Sequence, residues 1–126
     1  MNKGVVVGMC LAAVGLVLPA PSKADTLTGQ LVDLACYSQN KQNTGNAHRG
    51  KGAICGQACA REGFPVGLVT PDGKVYQITG DLTAAHQAKL VPYISQTVTI
   101  TGDVSQQSGN GMAMLNGKDL KPAGGN

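Results

Sequence analysis

Tryptophan is absent from this chain, and Tyr37, Phe64, Tyr76 and Tyr93 are its only aromatic residues. Charged residues make up just 13% of the 126, and lysine and arginine nowhere form a cluster. Nucleic-acid binding calls for a basic footprint and for rings on which bases stack, so that partner class is set aside. The Cys-x-x-Cys pair of thioredoxin-like oxidoreductases is missing as well, as is the alternating βαβ pattern of their fold. No Ser/His/Asp arrangement, no paired carboxylates with a base and no phosphate-cradling glycine loop stand out. These absences favour a non-enzymatic domain. No uninterrupted apolar run reaches the roughly 20 residues that a helical membrane span needs.

The longest apolar run, Gly4 to Leu18, follows the positive Lys3 and is broken by Pro19 and Pro21. Ser22-Lys23-Ala24 then offers small residues at the two positions read by a signal peptidase. This is the layout of a secretory signal peptide, residues 1–24, with cleavage expected after Ala24. Cys10 would be lost with it, because Val7-Gly8-Met9 is a poor lipobox. The expected product is periplasmic or secreted, has no membrane segment after cleavage, and is a single domain over 25–120 with a loose tail at 121–126. At about 100 residues it can bury a modest core, in the size range where a covalent or metal staple helps. Without Lys3 and Lys23 its basic and acidic residues nearly balance, so net charge says little about partners.

Thr26 to Ala35 reads as a strand with Gly29 inside it. Leu27 and Leu31 share one face and Val32 and Leu34 the other, which a bulge or bend near the glycine would reconcile. The polar segment Ser38 to Gly52 has no apolar period and reads as loop. Pro65 to Thr70 and Lys74 to Thr79 form a hairpin across Pro71-Asp72-Gly73, where proline pre-sets the turn and glycine accepts positive φ. Asp81 or Thr83 is placed to cap a short helix running to about Leu90, stopped by Pro92. In Thr97 to Val104, Val98, Ile100 and Val104 face one way and Thr97, Thr99, Thr101 and Asp103 the other. Gln106 to Asn110 is a polar turn, and Met112 to Leu115 returns as the last strand.

Strand, long loop, hairpin, helix, strand, turn, strand is the element order of an OB-fold, a five-stranded Greek-key barrel with its helix between strands three and four. A small open β-roll with the same hairpins is the alternative. The string Asp33-x-x-Cys36, Cys55-x3-Cys59-x3-Gly63, Asp72-Gly73-Lys74-x-Tyr76 and Val98-Thr99-Ile100-Thr101-Gly102 resembles a family of small exported bacterial OB-like proteins of unknown function. The resemblance spans about residues 27 to 104 and implies the fold and export. It brings no substrate or catalytic residue.

Three cysteines remain after signal removal: Cys36, Cys55 and Cys59. Disulfides are the ordinary use of cysteine in an exported chain, but an odd number leaves a thiol over, a bridge between chains, or a metal site. Ala53 to Arg61 reads as a short helix ending near Gly63. On it Cys55 and Cys59 are i and i+4 neighbours with Cβ atoms about 5–6 Å apart, wider than the roughly 3.5–4.5 Å of a disulfide. A bridge from Cys36 to one of them would close a loop of about 20 residues, worth roughly 3 kcal/mol. With His48, the trio becomes a Cys3His set suited to zinc, and three thiolates alone suit copper(I). Met112 and Met114, the methionines of the mature chain, share a face of the last strand and are thioether ligands for copper or else flexible core filler. His48 stands in a glycine-rich loop, as a ligand or simply exposed. Asp33 is either a carboxylate serving Cys36 or a turn and cap group, and His86 is expected to be exposed. The expected function is binding, of copper, zinc or a small ligand. The alternative is a disulfide-stapled interaction module with one free thiol, and a thiol-redox protein stands behind both. An OB-like domain would bind beside Tyr37 to Phe64 and Gln106 to Gly111.

Overall fold

The computed structural model describes residues 15, 16, 24–42, 52–106 and 111–124. Most of the expected signal peptide, His48 and most of the Gln106–Asn110 turn lie outside the described residues. The fold is mainly β. Strands β1 (Asp25–Asp33), β2 (Val66–Val69), β3 (Val75–Thr79), β4 (Thr97–Ser105) and β5 (Ala113–Pro122) close into a ring in the order β1-β2-β3-β5-β4. All neighbours pair antiparallel except β3 and β5, which run parallel. Helix α1 (Leu34–Gln39) follows β1 directly, and α2 (Gly52–Arg61) precedes β2. No helix among the described residues is long and apolar enough to cross a membrane.

Period-two patterning places the core. Leu31, Val66, Leu68, Ile78, Val98, Ile100 and Leu115 point into the ring and are all but sealed from solvent. Each such side chain contributes about 1.5–3 kcal/mol of burial. On the outer wall, Val32 of β1 joins Leu34 and Tyr37 of α1, with Val69, Val75 and Met112 packed alongside. The two faces of strand one are thus both apolar for a reason: Leu27 and Leu31 serve the interior, Val32 the underside of α1. Gly29 is buried where β1 passes from pairing with β4 (Asp25–Gln30) to pairing with β2 (Gln30–Asp33). A Cβ there would lie 2.4 Å from the Val69 carbonyl oxygen. The outward face of β4 carries a hydroxyl ladder to β1, Thr28 with Thr99 at 2.8 Å and Thr26 with Thr101 at 3.3 Å.

The hairpin turns where the sequence places it: the Gly73 amide donates to Thr70 O and the Thr70 amide to Lys74 O. Asp72 accepts from the Thr70 hydroxyl and from the Lys74 amide, and the Thr70 bond is the chief reason its carboxyl sits below the usual carboxylate range.

Three expected elements come out differently. Strand one ends at Asp33 rather than Ala35, because the Asp33 carboxylate accepts from the Ala35 and Cys36 amides, both at 3.3 Å, and starts a helix there. Cys36 therefore belongs to the first turn of α1, not to a strand end. The single helix expected after strand three is a chain of short turns: a 3-10 turn Gly80–Thr83, a four-residue turn Ala84–Gln87, and a 3-10 turn Val91–Tyr93. The Thr83 hydroxyl donates back to Gly80 O at 2.7 Å instead of capping, and Ala85, His86 and Gln87 all take positive φ. Reversing the hand of that turn leaves His86 exposed, as expected, and brings Gln87 inside. The last strand runs to Pro122, well past Leu115, and takes Lys121 and Pro122 from the expected tail by pairing them with Thr99 and Val98. A register shift between Thr101 and Gly102 breaks the period of two opposite that stretch, which hides it from pattern reading.

Candidate metal centre

Two helices bring the cysteines together. Asp33 fixes the start of α1 and thereby the direction of Cys36, whose carbonyl closes the helix by accepting from the Asn40 amide at 3.1 Å. On the other side, α2 carries Cys55 and Cys59 on one face. It ends as the sequence predicts: Gly63, at φ 92°, lets the Phe64 amide reach Cys59 O and the Gly63 amide reach Ala60 O, both at 3.1 Å. Between the two cysteines, Gly56 is buried against Ile94, where a Cβ would lie 2.7 Å from its Cγ2 and 3.8 Å from Asp33 Cβ. The absent side chain lets α2 settle close to the end of β1.

One residue of this support has no signal in the sequence. Gln87, only 6% exposed, donates from Nε2 to Ala60 O and to Phe64 O, both at 2.8 Å, pinning the C-terminal end of α2 next to Cys59. A glutamine between alanines and a lysine reads as surface, and only the left-handed turn explains its burial. Gln87→Ala should lower stability by about 2 kcal/mol by removing a buried donor from two carbonyls. A urea midpoint equal to that of the parent protein would show that the latch contributes nothing.

The Sγ atoms of Cys36, Cys55 and Cys59 all lie within 4.8 Å of one another, and each residue is half-buried. No disulfide joins them. Tetrahedral zinc with bonds of about 2.3 Å holds its sulfurs roughly 3.8 Å apart, so ligation asks for small inward shifts of side chains already convergent. Asp33, 3% exposed, stands beside the trio, and no lysine or arginine among the described residues pairs with it. Its carboxylate takes a hydrogen bond from the Cys36 thiol, which with desolvation and the adjacent negative charge pushes that thiol up to about 12. Burial first, then Asp33, raises Cys59. Cys36 and Cys59, next to a buried carboxylate, thus resist ionising, and a cation among the sulfurs would reverse that.

Asp33 thus fills both roles open to it, cap and thiol partner. Met112 packs in the outer cluster with Val32, Leu34 and Tyr37, as core filler would, and Met114 is half-buried on β5 opposite Gln77 and Ser105. Among the described residues the trio consists of the three cysteines, and His48, the expected fourth ligand, lies outside them. Comparison with protein-family models, curated proteins and solved structures returns no match.

Proposed function

We propose that this chain is an exported, non-enzymatic OB-like domain that binds a soft metal ion through Cys36, Cys55 and Cys59. The observation that carries this reading is the convergence of three thiol sulfurs from two separate helices within 4.8 Å. Three sulfurs in a triangle exceed what one disulfide uses, and they suit copper(I) by themselves or zinc with a fourth donor such as His48. The OB-like assignment draws its support from the element order and from the ring order β1-β2-β3-β5-β4 with its parallel β3–β5 pair. Export draws its support from the sequence of residues 1–24.

Native mass spectrometry of the reduced protein, titrated separately with zinc and with copper(I), tests the reading. One ion per chain, lost in Cys55→Ser, is the expected result. A chain two hydrogens lighter that takes no metal from its own envelope fraction, and none after reduction, would overturn it in favour of the stapled module.

A second reading rests on a cleft of about 370 Å³ lined by Lys74, Tyr76, Gln106, Gly111, Met112 and Ala113. It adjoins the β4–β5 connection, where an OB-like domain takes its ligand. A small ligand bound there would leave the cysteines as support for the fold.

A further inference from the structure

We propose that the trio is a redox-gated site in which Cys36 is the obligatory partner of every internal disulfide, so that oxidation by a disulfide compound expels the metal. The expulsion rests on the metal-binding reading above, whereas the pairing rule stands on geometry alone.

Cys55 and Cys59 belong to one unbroken helix, and i, i+4 neighbours hold their Cβ atoms about 5–6 Å apart, beyond the roughly 3.5–4.5 Å that a disulfide accepts. Bridging them means breaking α2. That helix is held at its end by the Phe64 and Gly63 amides and by the Gln87 side chain, and in its middle by the contact of Gly56 with Ile94. Cys36 sits in the first turn of a six-residue helix that Asp33 caps, the Asn40 amide closes and Leu34 and Tyr37 pack against Val32 of β1. Turning its side chain toward α2 leaves both helices whole. The favoured bridges are therefore Cys36–Cys55 and Cys36–Cys59.

The chemistry balances with glutathione disulfide as oxidant. A protein thiolate attacks one sulfur of the oxidant, forming a protein–glutathione mixed disulfide and releasing one glutathione thiolate. A second protein thiolate then attacks the protein-side sulfur, forming the internal bridge and releasing the second glutathione. Two cysteine thiols have lost two electrons and two protons, and one glutathione disulfide has become two glutathiones. Half-burial of all three cysteines leaves the first attack open to solvent. Two of three thiolate ligands are consumed, so an ion held by the trio departs. The remaining helical thiol stands close enough to attack Cys36 Sγ and expel its partner, which interconverts the two bridges.

The test uses the reduced full chain, metal-free and zinc-loaded, incubated with glutathione disulfide and quenched by acid. Non-reducing peptide mass mapping locates the bridges, and a chromophoric chelator follows zinc. Both Cys36 bridges and no Cys55–Cys59 bridge are expected, with one zinc released per bridge formed. Cys55→Ser should give Cys36–Cys59 alone, and Cys36→Ser should accumulate glutathione adducts without an internal bridge. A predominant Cys55–Cys59 bridge, or zinc retained after bridging, would overturn the proposal. A reduced chain that takes no zinc defeats the metal reading and with it the expulsion, while the bridge map still judges the pairing rule.

Discussion

Asp33→Asn is expected to speed the alkylation of Cys36 by iodoacetamide at pH 8 about tenfold in the metal-free protein. Asparagine caps a helix about as well as aspartate, so α1 keeps its start and the change falls on the thiol. The carboxylate holds Cys36 near 12 mainly by accepting its proton in a hydrogen bond and then by its charge. With the charge gone the thiol moves back toward its ordinary value, and the thiolate, the reactive form, becomes more abundant. Nucleophilicity falls as acidity rises, with a slope of about 0.4–0.5, which removes roughly half of the gain on a logarithmic scale. Solvent screening at a half-buried cysteine trims it further, leaving about one order of magnitude. The sign for stability follows from the same shift. A raised thiol pKa contributes stability that is fully present below the ordinary thiol pKa and is lost as pH rises toward 12, so the parent protein should weaken in alkali more steeply than Asp33→Asn. Equal alkylation rates, measured by mass spectrometry on the Cys36 peptide, would show that the carboxylate does not control the thiol.

That control also bears on metal capture. Ligation by thiolate would displace the thiol proton, so affinity should climb with pH, and a thiol kept protonated by a buried carboxylate carries that climb to higher pH. On the proposed metal-binding reading, the carboxylate would remain beside the bound cation, where its charge is favourable rather than opposed. One residue would then both slow oxidation of the metal-free trio and favour its occupation.

How far the sequence reveals this depends on where each determinant lies. TVTITGDV shows its own register because one face meets the core and the other meets water, and the threonines on that outer face pair across to β1. Gly63 is legible because a helix stop is a local event within five residues. The i, i+4 spacing of Cys55 and Cys59 likewise marks a shared face and points to Cys36 as the distant partner. The delivery of Cys36 was not legible, since it depends on Asp33 ending a strand two residues before the apolar pattern does. Gln87 was hidden for a stronger reason. Its burial needs a left-handed turn at Ala85 and His86, which no local propensity favours and which only the carbonyls at the end of α2 reward. The lower half of β5 was lost because Lys118, Asp119 and Lys121 face solvent beside a register shift, so neither period nor composition marks a strand.

Gly29→Ala should be among the most damaging small changes in the domain, lowering stability by about 3 kcal/mol or more. Overpacking a core ordinarily costs about 1–3 kcal/mol, because side chains rotate or slide away from the added atom. Here the added Cβ would meet Val69 O at 2.4 Å, Val69 C at 2.8 Å and the Cα of Thr70 at 3.1 Å, all backbone, at the corner where β1 leaves β4 for β2. Relief requires β1 and β2 to part there. The Gln30–Val69 pairing lies next to that point, and the Leu31–Leu68 pairing, one residue further along, belongs to the core. The damage would travel along β1 to Asp33, and so to the cap that aims Cys36. For a domain of this size a loss of 3 kcal/mol lowers the melting temperature by roughly 12–24 °C. Thermal unfolding of the reduced protein followed by circular dichroism reads the shift. A melting temperature within a few degrees of the parent's would mean that the ring does not close as tightly at this corner as the strand register requires. If zinc or copper(I) raises the melting temperature of the variant by less than it raises the parent's, the cysteine trio and the barrel corner are coupled through the nine residues of β1.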